Sequence, residues 1–568
     1  MDRRTFLGMS SIATAGLASG AWARLLAQGG PAAMGTVGAT VELAAGRIRG
    51  RLVDGVHVYR GVPYGASTAG ANRFMPPKPP AAWTGVRDAF EYGPRAPQPF
   101  RPMIPEIGDA LTGTGPMSED CLRLNVWTGE VRRGARRPVM VWLHGGGFRT
   151  GSGNSPFYDG HALARKHGVV VVTITHRLNA FGFLHLAGTG AAPFAESANM
   201  GMQDIVQALT WVRDHIDGFG GDPGNVTVFG QSGGGGKTAI LRGMPSAKGL
   251  FHRSIIMSTL ADTAITALEP PAADEAARQL LTRLGLRPTQ VAELQALSVE
   301  QLLAALTGGS GRSGGQLGAG AAPPQGDISL RFTPVVDGRV LAVHPFSPGA
   351  SALAADVPIL CGSNETEGVP YGNPDDPFWT SEPTDDASLR QQIVRQLRIE
   401  APEADELIAL YRRGRPGASP GDLALVMAAD NSPLRLSSYT IAERKHAQGQ
   451  APVFMYYFDW RSPVRGGKLR SMHCMEIPFF FDHVDDIASM TGTGQDRYAL
   501  AERMAAAFAA FARTGNPHHD GLPAWPAFDT DRRATMVFGA ETRMVNDPHG
   551  AERRAMQAMR ARRAAPGA

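Results

Sequence analysis

The stretch that decides the fold is Asn225-Val226-Thr227-Val228-Phe229-Gly230-Gln231-Ser232-Gly233-Gly234. It begins as a β-branched apolar run, passes through the pattern Gly-x-Ser-x-Gly and leads into the helix-like segment 237–241. A turn this tight has no room for side chains two residues either side of the serine, which accounts for the glycines. The turn would hold the Ser232 hydroxyl at the carboxyl end of the strand. The order strand, sharp turn, helix is typical of a parallel sheet.

Segments before and after this stretch follow the same plan. Apolar, strand-like runs span 138–143, 168–174, 357–361 and 452–458, and the first and third of these lead directly into glycine-containing turns. Apolar residues recur at helical spacing over 204–216 and 498–511. Strands that alternate with helices predict a mostly parallel sheet covered on both faces. The Gly-, Ser-, Ala- and Pro-rich segment 308–325 indicates a flexible surface loop rather than a domain linker.

Charge and cysteine content exclude several classes of protein. The 568 residues include 56 Lys+Arg and 52 Asp+Glu, a net charge of +4. Five arginines and one glutamate fall in the segment 551–568, which we interpret as a solvated helical end; a membrane or acidic partner is the alternative. The near-neutral remainder argues against a nucleic-acid partner. No apolar run is long enough for membrane insertion, and the spacing of the three cysteines matches no metal site.

A second glycine-rich segment bears on the chemistry of Ser232. A serine hydroxyl is a poor nucleophile unless a base lies within hydrogen-bond reach. Acyl transfer also needs N–H groups aimed at the developing oxyanion, and His144-Gly145-Gly146-Gly147-Phe148, after an upstream strand, is suited to supply them. The rival interpretation is a phosphate-binding loop ending at Gly236-Lys237-Thr238, but that motif needs glycine where Gln231 stands. The two motifs in this order therefore indicate acyl transfer.

At this point the sequence resembles a known family, the type-B carboxylesterases, which include the cholinesterases and bacterial esterases. The resemblance covers nearly all of the chain after residue 23. It rests on Tyr59-Arg60-Gly61-Val62-Pro63-Tyr64-Gly65, Ser118-Glu119-Asp120-Cys121-Leu122-Arg123-Leu124-Asn125-Val126, Arg177-Leu178-Asn179-Ala180-Phe181-Gly182-Phe183, Phe219-Gly220-Gly221-Asp222-Pro223 and Phe511-Ala512-Arg513-Thr514-Gly515-Asn516-Pro517. It implies an α/β-hydrolase fold with large loop insertions, hydrolysis of small-molecule carboxylic esters, and no metal or organic cofactor.

Such a fold carries its catalytic residues in the order serine, acid, histidine. Glu365 and Glu367 both follow the strand-like run to Cys361, and the resemblance implies Glu367; Glu365, or a pair of merely solvated carboxylates, are the alternatives. Histidines after this point are His446, His473, His483, His518, His519 and His549. The segment His473-Cys474-Met475-Glu476-Ile477-Pro478-Phe479-Phe480-Phe481 resembles the family's catalytic-histidine segment, which implies His473 as the base. A buried structural histidine is the alternative.

The resemblance implies further roles around this triad. The N–H groups of Gly146, Gly147 and Gly233 would hold the oxyanion of the tetrahedral intermediate. Ser258 matches a position that supports the triad, although an ordinary buried serine is the alternative.

Two residue differences between this sequence and the cholinesterases narrow the range of expected substrates. Cholinesterases carry glutamate where Gln231 stands, and no Trp occurs between Pro97 and Ser118, where they place the Trp that stacks on choline. We therefore expect an uncharged or anionic ester rather than a choline ester. Ala96 replaces a cysteine that the family often bridges, so Cys121 should be unbridged, and Cys474 should pack as a small apolar residue.

Two other functions fit the same resemblance. Some similar proteins are catalytically silent adhesion or binding proteins, which typically lack the serine. Amide, lactone or polyester hydrolysis would use the same triad.

The first residues resemble an export signal. Arg3-Arg4-Thr5-Phe6-Leu7 is similar to a twin-arginine motif, a mildly apolar stretch follows over 9–20, and Ala21-Trp22-Ala23 fits a cleavage site. An amphipathic N-terminal helix is the alternative. We expect a signal peptide at residues 1–23, a single catalytic domain at 24–568, recognition by the twin-arginine export machinery, and a periplasmic or secreted bacterial protein.

Overall fold

The computed structural model describes residues 35–99, 103–108, 111, 113, 115–260, 267–307 and 331–564. Within these residues, runs of Val, Ile and aromatic residues form a 13-stranded sheet. The strands are β1 (Thr36–Leu43), β2 (Gly46–Val53), β3 (Val56–Pro63), β4 (Val86–Asp88), β5 (Arg123–Thr128), β6 (Arg137–Leu143), β7 (Val170–Thr175), β8 (Gly221–Gln231), β9 (Arg253–Met257), β10 (Ile359–Asn364), β11 (Val453–Phe458), β12 (Ala534–Phe538) and β13 (Arg543–Asn546). The segments 1–23 and 308–325 lie outside the described residues, and the signal peptide and the flexible loop stay predictions.

The order across the sheet is β1-β2-β3-β5-β7-β6-β8-β9-β10-β11-β12-β13, and β4 pairs with β2. Strands from β7 through β12 in this order are parallel to one another. The β1, β2, β3 and β5 strands at one edge and β13 at the other pair antiparallel. Most of the sheet is therefore parallel, as predicted.

The register of the central strands aligns their carboxyl ends. Leu143 pairs with Gly230, Gln231 pairs with Met257, and Met257 pairs with Gly362. The segments that follow β6, β8, β9 and β10 therefore leave the sheet side by side. Functional groups of parallel sheets gather at this edge.

Helices cover the sheet. They are α1 (His161–His167), α2 (Asn179–Phe183), α3 (Met200–His215), α4 (Gly233–Leu241), α5 (Pro270–Arg283), α6 (Val299–Leu306), α7 (Asp386–Leu397), α8 (Ala401–Gly414), α9 (Pro420–Asn431), α10 (Pro433–Gln448), α11 (Ile477–Phe480), α12 (Ala488–Thr491), α13 (Asp496–Thr514) and α14 (Gly550–Ala564). None of the helices in the described part of the chain combines the length and apolarity that a bilayer span needs.

The central strands are buried on both faces. In β7, Val170 and Val172 contribute to one hydrophobic cluster, whereas Val171 contributes to another on the opposite face. Because side chains alternate along a strand, a run of consecutive valines supplies two cores at once. This explains why the run 168–174 is continuously apolar.

Two segments differ in detail from the prediction. The α3 helix begins at Met200, four residues before the predicted start. The C-terminal segment is helical, but one face of α14 is buried through Met556 and Met559, which join a cluster with side chains of α7, α8 and α9. It is therefore a docked helix rather than a wholly solvated end.

The cysteines behave as predicted. Cys121, Cys361 and Cys474 all lie in the described part of the chain, and each is buried and outside any disulfide.

Candidate active site

Ser232 occupies the sharp turn between β8 and α4. Its backbone has φ 58° and ψ −125°, a region that residues with a Cβ atom rarely adopt. The turn is held from both sides, since Ser232 N–H donates to the Met257 carbonyl at 2.9 Å and its own carbonyl accepts from Thr259 Oγ1 at 2.7 Å. These bonds fix the serine at the carboxyl end of the parallel strands.

The glycines around Ser232 are required by close backbone contacts. A Cβ atom on Gly230 would lie 2.4 Å from the Gly234 carbonyl carbon, and one on Gly234 would lie 1.8 Å from the Leu143 oxygen. Neither backbone atom can move away cheaply. The steric reason for the Gly-x-Ser-x-Gly pattern is therefore present in the structure.

Glu367 and His473 are joined by a short hydrogen bond. His473 Nδ1 lies 2.6 Å from Glu367 Oε2, and both side chains are buried. The other carboxylate oxygen of Glu367 accepts from the Asn364 N–H at 2.7 Å. Burial pushes the pKa of Glu367 upward, but the charge and hydrogen bond of His473, with the Asn364 bond, hold the pKa below its usual value.

Glu365, the alternative acid, and the other histidines considered as bases make contacts away from the pair of Glu367 and His473. Glu365 is paired with Arg461, whose Nη2 lies 3.0 Å from its carboxylate, and Arg415 Nε lies 3.6 Å from the other oxygen. His446 packs its ring against Phe528, and His519 bonds the Arg503 carbonyl. The structure thus brings Glu367, and not Glu365, to His473.

A second buried carboxyl lies behind this pair. Glu476 Oε1 accepts from Ser258 Oγ at 3.2 Å, and its other oxygen accepts from Asn364 Nδ2. The Ser258 hydroxyl also contacts Glu367. Ser258 therefore lies between the two carboxyl groups, and its supporting role stays a prediction.

Burial and the neighbouring charge of Glu367 raise the pKa of Glu476 to about 7. The unfolded chain would release this proton near the ordinary value of 4.5, so unfolding becomes more favourable as pH rises from that value to about 7. The Glu476→Gln variant cannot titrate there. We expect its free energy of unfolding, relative to wild type, to rise by up to about 3 kcal/mol over this range.

Urea titrations of wild type and Glu476→Gln at half-unit steps from pH 4.5 to 8 measure this difference. A difference that stays constant with pH would contradict a raised pKa at Glu476.

Gln231 and Tyr371 lie against the imidazole of His473, and Cys474 contacts Gln231. Gln231 Nε2 lies 3.3 Å from Nδ1 and 3.4 Å from Nε2 of the ring, which places the amide over the ring face. Gln231 Oε1 accepts from Cys474 Sγ at 3.4 Å. The Tyr371 ring stacks on His473 with centroids 5.7 Å apart. Cys474 therefore makes a polar contact as well as packing.

A small pocket opens onto Ser232. Met103, Leu111, Tyr158 and Tyr371 supply its apolar and aromatic walls, and Cys474 and Gln231 also line it. Among the described residues that line it, none carries a formal charge at neutral pH. The pocket is suited to a neutral group beside the serine.

The glycine loop after β6 borders the same pocket through Gly145 and Gly146. Gly146 and Gly147 have φ of 82° and 63°, so the chain turns sharply here. Within the described structure neither of their N–H groups has a protein hydrogen-bond partner. Gly233 abuts this loop, because a Cβ atom on it would lie 2.3 Å from Gly147 N. The three glycines predicted as an oxyanion hole are therefore neighbours beside Ser232.

Ser232 Oγ and His473 make no hydrogen bond in the described structure; they are connected through Gln231, which precedes the serine and lies over the imidazole. Such contacts commonly tighten only when substrate binds.

Sequence analysis missed Glu476, Asn364 and the contact between Gln231 and His473. A signal existed for Glu476, because a carboxyl within the apolar segment 474–481 has to be buried. No comparable signal marks Asn364.

Comparison with known proteins finds similarity along most of the chain. The model of the carboxylesterase family matches residues 38–558. The para-nitrobenzyl esterase of Bacillus subtilis (strain 168) is 34% identical over 510 residues, which cover 89% of this chain and 96% of that protein.

Solved structures similar to this chain are also carboxylesterases and esterases. A carboxylesterase of Geobacillus stearothermophilus has a TM-score of 0.74 at 36% identity, covering 91% of this chain and 100% of that chain. An esterase from Clostridium hathewayi that hydrolyses aliphatic aromatic polyesters has a TM-score of 0.77 at 31% identity, covering 92% and 98%.

Proposed function

This chain belongs to the carboxylesterase family, with the α/β-hydrolase fold and the activity of a carboxylic ester hydrolase, and from that premise we propose that it works through Ser232, His473 and Glu367 with a covalent acyl-enzyme. The observation that carries the proposal is the buried hydrogen bond of 2.6 Å between His473 Nδ1 and Glu367 Oε2. A carboxylate can only accept, so Nδ1 carries the proton and Nε2 keeps the lone pair that a general base needs.

The reaction then proceeds in two halves. His473 Nε2 removes the proton from Ser232 as Oγ attacks the ester carbonyl, and the proton passes to the leaving alcohol as the tetrahedral intermediate collapses. Water, activated by the same nitrogen, attacks the acyl-enzyme and releases the acid. Glu367 stabilises the imidazolium in both halves, and its lowered pKa keeps it ionised for this role.

The oxyanion of each tetrahedral intermediate would be held by the N–H groups of Gly146, Gly147 and Gly233. Support comes from the proximity of Gly233 to Gly147 and from the open N–H groups of the glycine loop. Preorganised donors of this kind stabilise the transition state without reorganisation cost.

The substrate that we propose is an uncharged or anionic carboxylic ester rather than a choline ester. The pocket beside Ser232 has apolar and aromatic walls, and its described lining includes no carboxylate that would attract a quaternary ammonium group. Gln231 faces His473 with a neutral amide.

A fluorophosphonate probe tests the nucleophile. Displacement of fluoride by Ser232 Oγ should leave one phosphonyl group per chain, located on the Ser232 peptide by mass spectrometry. The same preparation should hydrolyse p-nitrophenyl esters, and should prefer a neutral dimethylbutyl thioester over its thiocholine isostere.

Labelling at another residue would overturn the assignment of Ser232. A folded protein that is neither labelled nor active on any p-nitrophenyl ester would favour the silent binding protein. Hydrolysis confined to an aromatic polyester film would assign the same triad to polyester substrates.

A further inference from the structure

Lys237 is a buried amine that the proposed mechanism does not use. It lies on α4, five residues after Ser232, and its side chain is fully buried. Nζ donates a hydrogen bond of 2.8 Å to the His144 carbonyl. Lys237 belongs to the Gly236-Lys237-Thr238 segment, which resembles the end of a phosphate-binding loop. Because the rest of that motif is missing, phosphate binding does not explain why a lysine stands here.

The surroundings of Lys237 are unusual for a lysine. Within the described structure no carboxylate pairs with it, and the Phe148 ring centroid lies 5.9 Å from Nζ. Burial lowers the pKa of Lys237 well below its usual value. Burying an amine costs free energy, and an apolar side chain of the same length would avoid that cost. The hydrogen bond to the His144 carbonyl is the polar contact that compensates for this burial.

The acceptor of Lys237 is the first of three successive carbonyls that are held in place. The Gly145 carbonyl lies 2.9 Å from His144 Nδ1, and the Gly146 carbonyl accepts from Thr150 N–H at 3.1 Å. In a planar trans peptide the C=O and the following N–H point in opposite directions. Holding these carbonyls therefore orients the N–H groups of Gly145, Gly146 and Gly147 away from them.

His144 is confined in the same way. Its ring stacks on His176 with centroids 4.8 Å apart and an interplanar angle of 16°. Gly151 lies against it so closely that a Cβ atom there would be 2.3 Å from Nδ1. Because the carbonyl of His144 is fixed by Lys237 and its ring by His176 and Gly151, the residue has little freedom to rotate the next peptide.

We propose that Lys237 is a positioning residue for the oxyanion hole, which it serves by tying the His144 carbonyl to the helix that carries Ser232. The inference rests on the proposed function. The hydrogen bond joins the two halves of the site, so the donors of the glycine loop keep a fixed distance from the nucleophile. Misplacement of such groups by about 1 Å is enough to slow the reaction by about a hundredfold.

The variant Lys237→Met removes the donor and keeps an unbranched side chain. We expect kcat for p-nitrophenyl acetate to fall by about tenfold to a hundredfold, with KM changed by less than about twofold. The inhibition constant of a trifluoromethyl ketone, whose serine adduct bears the oxyanion, should rise by the same factor as kcat falls. The variant Lys237→Gln restores an N–H donor on a shorter side chain. Its kcat and its inhibition constant should therefore lie between those of Lys237→Met and wild type.

Lys445→Met is the matched control. Lys445 is equally buried, lies on α10 and donates to the Ala355 carbonyl and, at 2.9 Å, to Gln448. Its replacement should change thermal stability but leave kcat and the inhibition constant as in wild type.

Wild-type kcat and ketone affinity in a folded Lys237→Met protein would overturn the inference. So would equal losses in the two lysine variants, or failure of both Lys237 variants to fold, because Lys237 would then serve the fold. Failure of the proposed function would give a different result: the Ser232→Ala variant would hydrolyse p-nitrophenyl esters as fast as wild type.

Discussion

Replacing Ser232 with alanine should lower kcat/KM for p-nitrophenyl esters by about a millionfold, because the acyl-enzyme cannot form without the Oγ atom. Alanine keeps a Cβ atom, so the backbone of the turn, at φ 58°, meets the same steric cost as before. Thermal stability should therefore stay close to that of wild type, and the change isolates the hydroxyl. Initial rates, normalised to the concentration of folded protein in each preparation, measure the loss.

The control for Ser232→Ala is the melting temperature of the same preparation. A folded variant that keeps more than about a thousandth of wild-type kcat/KM would rule out Ser232 as the nucleophile. Pretreatment of the variant with the probe identifies a contaminating serine esterase. The probe would abolish hydrolysis by such a contaminant, whereas the variant itself has no Ser232 to label.

Glu367→Gln should lower kcat by about ten-thousandfold while leaving KM nearly unchanged. A glutamine amide can donate to His473 Nδ1, which would place the lone pair on that nitrogen and the proton on Nε2. The histidine would then present a donor, rather than a base, to the serine. Steady-state kinetics on one ester measure both constants.

Glu365→Gln is the matched control, two residues away on the same loop. Its carboxylate pairs with Arg461 and lies near Arg415, so its loss should destabilise the fold by about 1–3 kcal/mol. Activity should fall no more than severalfold. A larger loss of kcat in Glu365→Gln than in Glu367→Gln would reverse the assignment of the acid.

The sequence was most informative where backbone geometry constrains residue type. Gly230 and Gly234 were predictable because no Cβ atom fits beside Leu143 and its neighbours. The continuous run in β7 was predictable because both faces of that strand are buried. In each case one local rule, steric or hydrophobic, decides the residue.

Contacts between distant segments were harder to predict. Glu365 and Glu367 are alike in the sequence, and only the family resemblance favoured Glu367, which the structure places beside His473, 106 positions along the chain. Gln231 was interpreted as an absent charge, whereas in the structure its amide covers the His473 ring. Such pairings depend on how β8, β10 and the segment after β11 come together, which no local pattern encodes.

The strained backbone of Ser232 has a consequence for how the protein evolves. A side chain held at φ 58° and ψ −125° costs about 1–3 kcal/mol, and glycine at this position would recover most of it. Selection for stability alone would thus favour losing the serine as soon as catalysis ceased to matter. A lineage that had turned to adhesion could lose the serine at a gain in stability, because only the chemistry of its hydroxyl offsets the cost of this conformation.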